Sequence, residues 1–305
     1  MLVAHISALA LAVLLLPYAL ASQSGAYQAA LEKYHSKHFE EALPIAEKAL
    51  REEPANPQYL NLYGSILAAL HQPGPAEEHL RKAAALAPDQ AAFQLDLGYL
   101  LHQERKYVEA VPVLKRAIAL DPANLMARFM LARCYVFSYH ELGIPNFAEL
   151  TLEQLNYIVK RNPRFPAVHH HLALVYINIG EPAKALPELR MELRNDPGNT
   201  QVRTELGETL IKLNRYDQAI QELQIAAAQA PGAAPVHFAL AKAYRSIDRN
   251  SEALDAAQKC VQLDPRFADA HYLLGQLYRA TNQPDLARIE FEQFRRIKGQ
   301  NAPTP

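Results

Sequence analysis

The stretch that decides the fold is residues 91–124, AAFQLDLGYLLHQERKYVEAVPVLKRAIALDPAN. It contains two segments with apolar residues at helical spacing, separated by the polar turn around Lys106. A proline disfavours α geometry in the residue before it, so the second segment should end at Asp121-Pro122. The stretch therefore predicts two short helices joined by a tight turn.

The same pattern recurs along the chain with a period of 34 residues. The helix-ending prolines are separated by 34 residues, except for one interval of 41, and they are Pro54, Pro88, Pro122, Pro163, Pro197, Pro231 and Pro265. Small residues recur in the same register, at Ala30, Gly64, Gly98, Ala132, Ala173, Gly207, Ala241 and Gly275. Such a period indicates an array of units that stack because no unit buries its apolar face alone.

Residues 91–124 resemble the tetratricopeptide repeat (TPR) family. The matching residues are Leu97-Gly98 and Leu101 in the first helix, and Tyr107, Ala110, Leu114, Ala117 and Pro122 in the second helix and its end. In this register, residues 22–299 hold about eight repeats, with seven additional residues in repeat four, 125–165. The resemblance implies an all-α, right-handed superhelical solenoid of helix–turn–helix repeats, whose first helices line a concave groove. Residues 300–305 are expected to form a disordered tail.

The N-terminal segment, residues 1–21, carries no Asp, Glu, Lys or Arg. Its apolar run ends at Pro17, and Ala19-Leu20-Ala21 then forms a small-x-small pattern before Ser22, which is typical of signal-peptidase sites. The run is short for a membrane-spanning helix. We therefore expect a cleaved signal peptide and export to the periplasm or the medium. The alternative is an uncleaved membrane anchor.

Composition and motifs argue against several functional classes. The 31 basic and 32 acidic residues leave a net charge of −1, which does not favour nucleic-acid binding. His169-His170-His171 would point about 100° apart on a helix, so the three cannot ligate one metal. No phosphate loop or catalytic motif is found, and Cys134 and Cys260 are expected to be buried thiols. We predict no enzyme and no cofactor. An exported metal-binding protein using the 12 histidines is a further alternative.

The resemblance also implies which residues face a ligand, because the second, fifth, ninth, twelfth and thirteenth positions of TPR units line the groove. Carried over, these positions give an apolar wall suited to an apolar segment of a protein or peptide. The alternative is that the units pack this wall against itself. Lys242, Arg245 and Arg279 would hold an acidic segment, or form a solvated face. The wall comprises Leu95, Tyr99, His102, Met126, Phe129, Arg133, Val136, Phe137, His170, Leu174 and Asn178.

The last repeat places Phe291, Phe294 and Ile297 on one helix face, where they would mediate self-association or fold back over the eighth helix pair. The leading hypothesis is an exported, non-catalytic protein-interaction module. The alternative is a membrane-tethered or self-assembling structural scaffold.

Overall fold

The computed structural model describes residues 25–142 and 146–300. Every regular element in these two ranges is an α-helix, which confirms the all-α prediction. The expected signal peptide and residues 301–305 lie outside the described residues. The sixteen described helices are α1 Gly25–His35, α2 Phe39–Glu52, α3 Pro57–Ala69, α4 Pro73–Leu86, α5 Ala91–Gln103, α6 Tyr107–Leu120, α7 Leu125–Leu142, α8 Phe147–Arg161, α9 Val168–Asn178, α10 Pro182–Asn195, α11 Thr200–Lys212, α12 Tyr216–Gln229, α13 Ala234–Arg245, α14 Asn250–Leu263, α15 Ala268–Ala280 and α16 Pro284–Gln300.

The helices form two compact units, residues 1–162 and residues 163–305, called here the N-terminal and C-terminal units. In each unit, helices pack as consecutive pairs, and each pair also contacts the next. The first helices α1, α3, α5 and α7 contact one another in series, whereas no contact of this extent joins the described second helices. The first helices therefore form the tighter layer, and we call the surface of this layer the inner face.

Glycine at the small-residue positions permits close approach of the paired helices. A Cβ on Gly98 would lie 2.6 Å from Leu114 Cδ2, and one on Gly207 would lie 2.4 Å from Leu223 Cγ. Real Cβ atoms do not come this close to other atoms. The leucine side chains fill the space that the missing Cβ leaves, so the recurring glycine and leucine together set the spacing within a pair.

A polar contact recurs at the fourth position of five repeats and joins each of these repeats to the turn before it. There an Arg or His side chain contacts the carbonyl oxygen of the helix-ending proline. That oxygen lies beyond the preceding helix and needs a partner. The contacts are Arg128 to Pro122 at 2.9 Å, His169 to Pro163 at 2.9 Å, Arg203 to Pro197 at 2.9 Å, His237 to Pro231 at 3.0 Å and His271 to Pro265 at 3.1 Å.

Helix α7 is the longest of the described helices in the N-terminal unit, with 18 residues against 13 in α3 and α5. Additional residues of repeat four therefore extend this helix, and 143–145 lie outside the described residues. One side of this helix is buried, with Met130, Cys134 and Tyr135 each at most 2% exposed. Within the described ranges, no helix is long and apolar enough to cross a membrane.

Candidate partner-binding face

An aromatic surface lies at the end of α7 and on its neighbours. The Phe137 ring is 50% exposed and stacks on Tyr107, with ring centroids 5.2 Å apart and planes 19° apart. Its edge also faces His102, at 6.0 Å between centroids, and His102 in turn packs against Tyr107 at 5.3 Å. We call these three residues the aromatic platform. It presents one large exposed ring on a rigid base, which suits capture of an apolar side chain.

Arg133 is the charged residue of the same stretch of α7. Its side chain is half-buried, and its Nε is buried without a hydrogen-bond partner among the described residues. Burial lowers the pKa of the Arg133 guanidinium from its usual value, yet an arginine stays charged at neutral pH. An unused, partly desolvated donor gains most from a carbonyl or carboxylate acceptor supplied by a ligand.

The structure corrects part of the predicted apolar wall. Phe129 is 1% exposed and lies within the core, so it cannot contact a partner. His102 and His170 are also buried, at 7% and 6% exposure. The physical reason is that α7 packs against three helices, α5, α6 and α8, which enclose this part of it. The half-buried residues of the predicted wall in this unit are Leu95, Tyr99, Met126, Arg133 and Val136.

A second feature of the inner face was missed by the sequence analysis. Asn61 Nδ2 donates a hydrogen bond to Asp96 Oδ2 at 2.7 Å, which links α3 to α5. Asp96 is half-buried, and its carboxyl is largely surrounded by protein atoms. This desolvation raises the pKa of the carboxyl from 3.8 to about 6. The fifth position of repeat two is Asn61, so the rule that selected Leu95 in repeat three would have found it.

In the C-terminal unit, one of the three predicted inner-face cations is paired with a carboxylate and another contacts a neutral amide. Lys242 Nζ lies 3.0 Å from Glu208 Oε1, and Arg245 donates to Gln276. The charge predicted to hold an acidic segment is therefore partly balanced already. Leu174 is half-buried and Asn178 is exposed on α9. Arg279 is also exposed, and it lines a cavity of about 250 Å³ together with Arg288, Arg295, Phe291, Ala287 and Pro284.

The predicted self-association face is largely closed. Phe291 packs on α15, where a Cβ on Gly275 would lie 2.8 Å from its ring, and Phe294 packs against Tyr272 at 5.1 Å. Ile297 is 6% exposed. The alternative, in which the rings fold back over the eighth pair, therefore describes this face. The reason is that glycine at 275 leaves room for an aromatic ring.

The two thiols are buried, and several described histidines make contacts within the fold. Burial raises the pKa of both Cys134 and Cys260 to about 12. His169 contacts Glu188 Oε2 at 2.6 Å as well as the Pro163 carbonyl, so both ring nitrogens are used. No group of three metal-ligating side chains occurs in the described part of the chain.

Sequence comparison agrees with the helix pairs and the glycine–leucine packing. Four family models for the tetratricopeptide repeat match residues 27–91, 101–138 with 191–243, 234–267, and 256–289. The chain belongs to the tetratricopeptide repeat family. Members of this family are protein–protein interaction modules and are typically non-catalytic. Comparison with curated proteins found no significant match.

Solved TPR structures share the fold. YrrB, described as a TPR protein with an unusual peptide-binding site, aligns with a TM-score of 0.55 and 19% identity over 64% of this chain and 96% of YrrB. The APC/C hetero-tetramer Cut9-Hcn1 gives a TM-score of 0.55 and 17% identity over 91% of this chain and 53% of that one. MamA MSR-1 aligns with a TM-score of 0.50 and 27% identity over 58% of this chain and 97% of MamA.

Proposed function

We propose that this TPR protein is an exported, non-catalytic interaction module that binds a segment of a protein partner on the inner face of its N-terminal unit. The half-exposed Phe137 ring, held on Tyr107, is the observation that carries the proposal. Large apolar rings are normally withdrawn from water, and a rigid exposed ring is typical of a binding surface.

The partner segment contributes an apolar side chain to the aromatic platform. Arg133, on the same helix as Phe137, donates to a backbone carbonyl or a carboxylate of that segment and so fixes its orientation. The peptide-binding site named for YrrB supports the use of this fold for peptides. Because the platform base is already packed, little side-chain entropy is lost on binding.

The test is capture from a native extract by the immobilised chain. Phe137→Ala and Phe137→Ala with Arg133→Gln should lose the retained partner. Ile225→Ala is the matched control, because Ile225 is 45% exposed on α12 in the other unit. Retention of the same partner by the wild type and both Phe137 variants would contradict the assignment.

Export rests on residues 1–21 and needs its own measurement. Mass spectrometry of the protein from its native cells should find a chain that begins at Ser22, in the periplasm or the medium. An intact N-terminus in the membrane fraction, together with oligomers of the purified protein, would instead support the tethered scaffold.

A further inference from the structure

On the inner face of each unit, the same two repeat positions carry polar side chains that contact each other. Asn61 and Asp96 are the fifth residue of one repeat and the sixth of the next, and His170 and Glu205 hold the same two positions in the C-terminal unit. In both cases the side chains are joined directly, at 2.7 Å. The histidine can carry a proton toward its glutamate, whereas the Asn61 amide has no charge to offer Asp96.

Asp96 therefore has an unmatched negative charge. Among the described residues no lysine, arginine or histidine forms an ion pair with it, although Glu208 and Glu205 on the other inner face each have a basic partner. An ionised carboxyl on a desolvated surface is unfavourable, as its raised pKa reflects. A chain gains nothing in stability from such a group, so a role in binding is the more economical explanation.

Asn61 adds a second acceptor beside this carboxyl. Its Nδ2 is directed at Asp96, because an ionised carboxylate can only accept, and its Oδ1 is consequently left buried without a partner in the described chain.

We propose that Asn61 and Asp96 form a subsite for a basic side chain, lysine or arginine, of the partner segment. The subsite rests on the proposed function, since it places that side chain on the same inner face as the aromatic platform. An ammonium or guanidinium group supplies the charged donor that Asp96 lacks among the described residues. Together with Arg133 on α7, which prefers an acceptor, the subsite gives the bound segment one direction.

The subsite is testable without knowing the partner. The full chain, labelled with nitrogen-15, is titrated with N-acetyl-lysine methylamide while the side-chain amide signals of Asn61 are followed by NMR. The neutral probe is the same compound acetylated on its ε-amine, and a third titration uses spermidine, a free polyamine. We expect saturable shifts of the Asn61 amide with the lysine probe and none with the acetylated probe.

Two variants report on the subsite, and one serves as a control. Asp96→Asn should weaken binding of the lysine probe at least about tenfold, since a charge-assisted hydrogen bond is lost. Asn61→Ala should weaken binding of the lysine probe less. Because this variant lacks the Asn61 side-chain amide, its titration is followed on the backbone amides of α3 and α5. Asp89→Asn removes the same charge from an exposed turn residue and should leave the affinity unchanged. Circular dichroism confirms that each variant retains its helix content.

The outcomes separate this subsite from the aromatic platform. Equal shifts with the two lysine probes, no saturable shift, or binding of spermidine alone would overturn the proposal, and an ordered water would then satisfy Asn61 Oδ1. None of these results would bear on the aromatic platform, since no probe contacts Phe137. Conversely, loss of lysine binding in Asp96→Asn with unchanged partner capture in Phe137→Ala would refute the platform alone.

Discussion

His271 Nδ1 lies 2.6 Å from Glu290 Oε2, while the opposite ring nitrogen contacts the Pro265 carbonyl oxygen at 3.1 Å. The ring thus joins α15 to α16 and to the turn before them. His237 holds the same position in the preceding repeat, but the structure describes only its contact with Pro231. The two histidines differ by one interaction with a carboxylate.

That difference gives a first prediction. His271→Ala should lower the free energy of unfolding by about 1–3 kcal/mol, since it leaves the partly buried Glu290 without its contact. His237→Ala should cost less, about 0.5–1.5 kcal/mol, for one hydrogen bond. Urea unfolding followed by circular dichroism measures both, and hydrogen exchange in α15 and α16 localises the effect. A larger loss for His237→Ala would show that Glu290 contributes nothing.

The close packing of α11 on α12 gives a second prediction. Gly207→Ala should destabilise the protein by about 1–3 kcal/mol, because the new Cβ would overlap the fully buried Leu223 side chain at 2.4 Å. Gly74→Ala in α4 is the control, since nothing lies within 4 Å of its Cβ position. That change should be neutral or stabilise the helix by up to about 1 kcal/mol. Thermal unfolding midpoints distinguish the two signs.

A third prediction separates the two phenylalanines of α7. Phe129→Ala should cost about 3–5 kcal/mol, because Phe129 is 1% exposed and its removal leaves a cavity. Phe137→Ala should cost less than about 1 kcal/mol, since half of that ring is already in water. Urea midpoints measure both changes. Similar losses for the two variants would mean that Phe137 is a core residue and not part of a binding surface.

The raised pKa of Asp96 gives a fourth prediction, with a definite sign. The folded protein holds this proton up to about pH 6, whereas the unfolded chain releases it near 3.8. The folded state therefore binds more protons in this window, and the contribution of Asp96 to stability falls as pH rises through it. Asn61, Tyr27 and Tyr34 are the polar groups that interact with the carboxyl.

Replacing the carboxyl by a neutral amide removes this dependence. Asp96→Asn should be more stable than the wild type at pH 7.5, by about 1–3 kcal/mol, and the advantage should disappear below pH 4. Urea unfolding at a series of pH values gives the comparison. A wild type that is more stable than Asp96→Asn at pH 7.5 would show that Asp96 is favourably paired within the chain.

Local sequence patterns predicted the elements well because they depend on short-range rules. The prolines and small residues indicated helix pairs, and the predicted end of the second segment at Asp121-Pro122 agrees with α6, which ends at Leu120. The family positions also selected Arg133 and Phe137, whose side chains remain at least partly accessible. Phe129 occupies an equally favoured position, but its environment depends on the helices that surround α7.

The sequence by itself determined the helix pairs, their period and the family, because each repeat encodes the same helix ends and the same small and large packing residues. The tertiary structure alone decided which apolar residues of α7 are buried and that Asn61 meets Asp96. Those two residues are 35 positions apart in the chain and touch only because stacked repeats bring α3 beside α5. Stacking creates contacts between repeats, and the sequence of one repeat alone does not specify them.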